Sequence, residues 1–155
     1  MTTIGFTCGA FDLLHAGHML MFQECKRHCG YLLVGLHRDP SLERPEKNRP
    51  VQTLSERYTM LQGIKYVDGI EIYDTEYDLT LMLMRSKIDI RFVGEDWKDK
   101  PLTAGFLDIP IHYTKRVGYS STELRGRVFA AEMEKRRKEG ERVLLQRIIR
   151  RIKNA

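Results

Sequence analysis

His15 and His18 stand three residues apart, behind Cys8-Gly9-Ala10-Phe11-Asp12-Leu13-Leu14 and a short apolar run, Thr3–Thr7. An apolar run, a glycine turn and a His-x-Gly-His step predict a strand, a loop and the first turn of a helix. Backbone N–H groups and two imidazoles then point at one spot. Such a spot suits a phosphate, because free helix-start donors and the helix dipole both favour negative charge. Lys115-Arg116-Val117-Gly118-Tyr119-Ser120-Ser121-Thr122-Glu123-Leu124-Arg125 forms a second constellation. Its two cations, glycine turn and three hydroxyls at a helix start predict a further phosphate seat. A third is Val93-Gly94-Glu95-Asp96-Trp97-Lys98, where the only tryptophan of the chain follows two carboxylates. Lys47, Arg49 and Arg57 add a basic set around an earlier loop.

The chemistry that fits is transfer at the α-phosphorus of a nucleoside triphosphate. Charge builds there on the α-phosphoryl oxygens and on departing pyrophosphate, so positioning and electrostatics carry most of the catalysis. Imidazoles that donate hydrogen bonds supply this without moving a proton. No general base stands beside the pair, which suits a phosphate nucleophile, largely a dianion at neutral pH with a second pKa of about 6. Each segment also has a plainer reading. The histidines could be a helix N-cap facing solvent, and Ser120–Thr122 an ordinary cap. Glu95 and Asp96 could be an exposed acidic turn with Trp97 packed on the body, and Arg49 solvated surface charge. A carboxylate such as Asp96 could instead help hold Mg²⁺ on a triphosphate.

These groups need a scaffold that brings loops together. Apolar runs at Tyr31–Leu36, Ile70–Tyr73, Ile88–Val93 and Pro110–Tyr113 alternate with helical patterns over roughly 17–28, 53–65 and 76–87. Thr53 with Glu56 three residues on reads as a capping box. Strands alternating with helices predict an α/β fold, a Rossmann-like parallel sheet of about five strands with helices on both faces. Ligands of such sheets sit beyond the carboxyl ends of the strands, where the first two constellations fall. Arg38–Pro50 and Glu95–Gly105 read as polar loops, the former a flap over the site.

The bulk numbers fit one such domain: 155 residues, 42% hydrophobic and 30% charged. No apolar stretch reaches the roughly 18–20 residues of a membrane span, and the start lacks a signal-peptide pattern, so the expected location is cytoplasmic. Cys8, Cys25 and Cys29 lack Cys-x-x-Cys spacing, which argues against disulfides and zinc; Cys25 and Cys29 read as core packing. The net charge of +5 is uneven: residues 123–155 hold 11 Lys and Arg against 5 Asp and Glu, leaving 15 against 16 elsewhere. Residues 1–127 are therefore expected to form the catalytic domain and 128–155 a basic, amphipathic extension of one or two helices, with Gly140 the expected place of a break. Leu144, Leu145, Ile148, Ile149 and Ile152 share one face of it. That face suits the chain's own body, a partner protein or, weakly, a membrane surface. Nucleic acid is not expected, since the body is not basic and nothing aromatic is interleaved.

Gly9–His18, Glu56-Arg57-Tyr58, Lys65-Tyr66-Val67-Asp68, Gly94-Glu95-Asp96-Trp97 and Gly118–Thr122 together resemble the cytidylyltransferase family of the His-x-Gly-His nucleotidyltransferases, most of all its glycerol-3-phosphate branch. The resemblance runs over roughly residues 3–127. It implies a homodimer that transfers CMP from CTP to a small phosphorylated acceptor, with Mg²⁺, releasing pyrophosphate. It implies a catalytic role for His15, His18, Lys47 and Arg116. Gly9, Ala10, Phe11, Asp12, Gly94, Asp96, Trp97, Lys115, Gly118 and Tyr119 would line the nucleotide pocket, with Ser120, Ser121 and Thr122 on its β/γ end. Two departures bear on substrate: Ala10 stands where the family has threonine, and Asp74-Thr75-Glu76-Tyr77-Asp78 lacks the lysine of the glycerol-phosphate branch. Arg57, Asp74 and Glu76 are the expected acceptor contacts, suited to an amine or several hydroxyls. Two other readings stay open: an adenylyltransferase acting on a sugar phosphate such as heptose phosphate, and a non-catalytic nucleotide-binding module.

Overall fold

The computed structural model describes residues 2–115 and 118–153. Five strands, β1 (Ile4–Gly9), β2 (Tyr31–His37), β3 (Gly69–Tyr73), β4 (Ile90–Gly94) and β5 (Ile111–Thr114), pair in parallel in the order β3-β2-β1-β4-β5. The chain builds outward from β1 to one side, then returns to β1 and builds to the other. β1 and β4 are thus neighbours whose outgoing loops diverge, the crevice where sheets of this kind bind ligands.

Alternation along the strands produces a core on each face. Leu32, Val34 and Leu36 of β2 are fully buried, packing with Phe22 and Cys25 of α1 (Ala16–His28) and Leu61 of α2 (Leu54–Gln62). Phe6 packs on the other face with Leu79, Met82 and Leu83 of α3 (Glu76–Arg85). Helices cover both faces, as the alternation of runs predicts. Thr53 with Glu56 caps α2 and Thr75 with Asp78 caps α3, each through a reciprocal capping box. Cys25 and Cys29 are buried and all three cysteines are free thiols.

Two expectations change. The C-terminal region is a single helix, α4 (Ser121–Lys153), which passes through Gly140 without a break. A helical glycine costs about 1 kcal/mol against alanine. Ion pairs one turn apart, Arg136–Glu132 and Lys138–Glu134 before the glycine and Arg137–Glu141 across it, work against that cost. The compact units of the chain are Met1–Tyr119 and Ser120–Ala155. A boundary at residue 127 would therefore fall inside α4. Among the described residues no helix is long and apolar enough to cross a membrane.

Gly5 shows how tightly the first core is filled. A Cβ there would sit 2.5 Å from Phe92 Cε2 and 2.7 Å from Cys29 Sγ. Overpacking of this kind typically costs about 1–3 kcal/mol. Gly5→Ala should lower the urea midpoint by that equivalent at unchanged m-value; an unchanged midpoint would mean that the ring and the thiol yield freely.

Candidate active site

The β1–α1 loop carries the site, and it is held from two sides. Arg57 of α2 is only 1% exposed. Its guanidinium donates to the carbonyls of Ala10 (2.7 Å), His37 (2.8 Å), Arg38 (2.5 Å) and Gln52 (3.2 Å). Asp12, also buried, accepts from the backbone N–H groups of Val51 (3.0 Å) and Gln52 (2.9 Å), while Gln52 Oε1 accepts from Leu13 N at 2.7 Å. Between these anchors Phe11 and Leu13 adopt positive φ, 49° and 48°, a costly region for residues with a side chain. The left-handed turn therefore lies at Phe11 and Leu13 rather than at Gly9. Phe11 is buried against Phe22, with its ring edge to His18 at 5.7 Å between centroids.

This loop delivers His15 as the N-cap of α1 and His18 into its first turn. The two rings stack with centroids 4.0 Å apart and planes at 29°. His15 Nδ1 accepts from Gly17 N at 3.1 Å, and His18 Nδ1 accepts from His15 N at 3.4 Å. The result is a capping box made of imidazoles. In a neutral ring whose Nδ1 accepts, the hydrogen sits on Nε2. Burial, and then the adjacent His15, push the His18 imidazole down to about 4, so that ring is neutral at physiological pH. The glycine of the motif leaves room for this arrangement: a Cβ on Gly17 would lie 2.9 Å from His15 Cε1 and 3.1 Å from the Tyr119 carbonyl oxygen. The plain helix-cap reading holds for Nδ1 of each ring and leaves Nε2 of each outside the cap.

Beyond the carboxyl ends of β1 and β4 lies a cavity of about 320 Å³. Gly9, Ala10 and Gly94 line it at the sheet edge; Lys47 reaches in from the Arg38–Pro50 loop and Trp97 from the loop after β4. Lys47 Nζ, Arg44 Cζ and Lys100 Nζ stand 5.7, 5.9 and 5.5 Å from the Trp97 ring centroid, within cation–π range. Both polar loops thus contribute side chains to the crevice. The cavity also brings in residues that sequence reasoning missed: His37, Arg44, Tyr73, Arg91 and Thr103. A signal was present. His37 and Arg91 sit within strands whose other residues are mostly apolar, and both are buried.

Other expected site residues lie elsewhere. Arg57 gives four of its five N–H donors to backbone carbonyls and does not line the cavity. Asp12 anchors the loop and does not line the cavity either. Asp74 is 55% exposed, pairs with Arg38 at 2.6 Å and does not line the cavity. Glu76 does line it, paired to Arg44 and accepting from the Thr103 hydroxyl. Asp96 is exposed, with its carboxylate lying over Gly94. Lys115 is exposed, Gly118 has φ of 49° in open space, and Tyr119 is half-exposed. Arg116 lies outside the described residues. Ser120, Ser121 and Thr122 stand at the start of α4, where Ser120 Oγ accepts from Glu123 N at 3.1 Å as an ordinary cap.

Known proteins share both sequence and architecture with this chain. Bifunctional protein HldE of Caulobacter sp. (strain K31) is 33% identical over 135 residues, covering 82% of this chain and 27% of that protein. Bifunctional protein HldE of Campylobacter fetus is 39% identical over 99 residues, covering 63% and 21%. The chain thus spans about a quarter of the length of the curated relatives it matches. Among solved structures, the lipopolysaccharide core biosynthesis protein from Thermoplasma volcanium superposes with a TM-score of 0.60 at 24% identity, over 77% of this chain and all of that one. Pantothenate synthetase from Thermus thermophilus superposes at 0.55 and 13% identity, over 74% of this chain and 56% of that one. These two share the fold. Residues 6–127 match the family described as Cytidylyltransferase-like, and with the paired imidazoles in place the chain belongs to that family, within the nucleotidyltransferases.

Proposed function

We propose that this protein transfers CMP from CTP to a small phosphorylated acceptor, releasing pyrophosphate and forming a CDP-linked product. The observation that carries the reading is the imidazole pair. Two rings stack at a helix start, each accepting at Nδ1 and so carrying its hydrogen on Nε2. An oxygen of the acceptor phosphate attacks the α-phosphorus. The new O–P bond forms as the bond to the β-phosphate bridging oxygen breaks, and pyrophosphate leaves with that electron pair. No proton need move. Neutral donors fixed in place beforehand stabilise the charge that builds on the α-phosphoryl oxygens. Lys47, on the loop across the cavity, adds a fixed positive charge for the phosphates.

Mg²⁺ fits this arrangement. One exposed carboxylate, Asp96, together with phosphate oxygens and water is an ordinary Mg²⁺ ligand set. When bound, the ion would offset triphosphate charge. The family description supports CTP as donor. The likeness to bifunctional proteins HldE supports a second reading, transfer of AMP from ATP to a sugar phosphate such as heptose phosphate. Pyrophosphate release measured with CTP, ATP, GTP and UTP against a panel of phosphorylated acceptors separates the two: CTP should be preferred, and a preference for ATP would replace the first reading with the second.

His15→Ala should lower kcat on the order of 10²–10³-fold, by analogy with loss of one oxyanion donor. His15→Asn keeps a good N-cap but has no nitrogen at the Nε2 position. It should match wild type in melting temperature while losing rate as the alanine variant does. Equal rates for wild type and His15→Asn would mean that the ring serves only as a cap.

The low pKa of His18 gives a pH signature. Its folded value of about 4 lies below the 6.5 of an exposed histidine, so between those values the unfolded chain binds the extra proton. Its contribution to stability is complete above pH 6.5 and declines as pH falls towards 4. In an NMR titration the His18 ring should stay neutral through pH 6; a midpoint near 6.5 would contradict the half-buried, neutral ring.

A further inference from the structure

The whole net charge of the chain sits in one stretch of α4. Residues 142–153 carry five cations, Arg142, Arg147, Arg150, Arg151 and Lys153, and no carboxylate, which leaves 21 Lys and Arg against 21 Asp and Glu in the rest of the sequence. The same stretch has an apolar side. Leu144, Leu145, Ile148 and Ile149 are 59%, 58%, 46% and 44% exposed. At 3.6 residues per turn these four fall within an arc of about 140°. Arg142, Gln146, Arg147 and Arg150 occupy the rest of the circle, with Val143 among them.

The apolar arc is short, and what precedes it on the same side is charged. Glu141 lies one turn before Leu144 and Leu145, and Arg137 and Lys138 lie one heptad before them. Those three are tied into ion pairs, Arg137 to Glu134 and Glu141, and Lys138 to Glu134. A coiled coil needs an apolar seam sustained over about three heptads, and a second copy of α4 would find about one here. Aligned on that seam in either direction, two copies would also set cations against cations. A protein groove takes most of its affinity from a few bulky anchors, aromatic ones foremost. Residues 142–153 contain no aromatic side chain. An anionic lipid surface requires only sidedness and positive charge. Aliphatic side chains enter the acyl boundary, and arginines reach back along their stems to the headgroup phosphates.

We infer that residues 142–153 of α4 dock on an anionic phospholipid surface, with Leu144, Leu145, Ile148 and Ile149 against the lipid. The helix lies along the surface rather than through it, since among the described residues no helix is long and apolar enough to cross a membrane. Charge draws the segment in and the aliphatic arc holds it there, so both are needed. The inference does not depend on which nucleotide or acceptor the first unit takes.

Cosedimentation of the full chain with vesicles of mixed phosphatidylglycerol and phosphatidylcholine, against vesicles of phosphatidylcholine alone, tests it. The anionic vesicles should bind at least tenfold more tightly at low salt, and added NaCl should weaken that binding by screening. Leu145→Glu should lose at least tenfold in affinity for the anionic vesicles. Gln146→Glu makes the same change of charge at the next position, outside the apolar arc, and should lose no more than about threefold. Both positions are exposed, so both variants should melt with the wild type. Three results would each overturn the inference: no binding to anionic vesicles, equal binding to phosphatidylcholine alone, or equal losses in Leu145→Glu and Gln146→Glu. Two further results would replace the occupant. Binding to poly-glutamate as tight as to anionic vesicles would assign the segment to an acidic protein. A dimer in sedimentation velocity that Leu145→Glu dissociates would assign the arc to a second copy.

Discussion

One buried guanidinium holds together everything at the working edge of the sheet. Arg57 ties the β1–α1 loop at Ala10, the end of β2 at His37 and Arg38, and the entry to α2 at Gln52. A planar cation with five donors is one of the few side chains able to collect four carbonyls from three segments. Burial pulls its pKa down and the Asp12 carboxylate pulls it back, so the charge survives where an isolated cation would be expensive. Asp12 completes the brace by holding Val51 and Gln52 from the other side. Strain at Phe11 and Leu13 is tolerable only because both ends of the loop are fixed.

That brace explains the form of the imidazole pair. A phosphate-binding helix start usually offers its own N–H groups. Here two of the N–H groups around the first turn are consumed by ring Nδ1 atoms, so the hydrogen of each neutral ring sits on Nε2, further from the backbone. The exchange moves the donors into a stacked geometry set by two side chains. It also ties ring orientation to the helix end, so the donors need no reorganisation when charge develops. Gly17 belongs to the same device, because the space a side chain would need there is taken by the His15 ring.

The sheet and the pair are legible in the sequence for one physical reason: both are local. Strand and helix periodicity lies in contiguous residues, and His15, Gly17 and His18 meet within one turn. Thr53 with Glu56 is readable in the same way. Arg57 is not. A charged residue on an amphipathic helix gives no sign that its partners are carbonyls at Ala10 and His37, far away along the chain. Asp12 reads as a ligand contact for the same reason, since its true partners, Val51 and Gln52, arrive from another loop. The unbroken α4 shows the opposite error. Gly140 taken alone predicts a break, while the ion pairs around it act together.

The cavity completes the logic. A chain selected only to fold would have placed apolar residues at positions 37 and 91, as their neighbours in β2 and β4 are. The fold instead carries nitrogens there that nothing in the first unit answers. Stability withheld at a site and restored by a ligand appears as affinity, because whatever binds gains hydrogen bonds that the free protein lacks. The braced loop and the stacked rings are fixed by contacts within the fold, whereas the polar side chains of the cavity are not required by the strands that carry them.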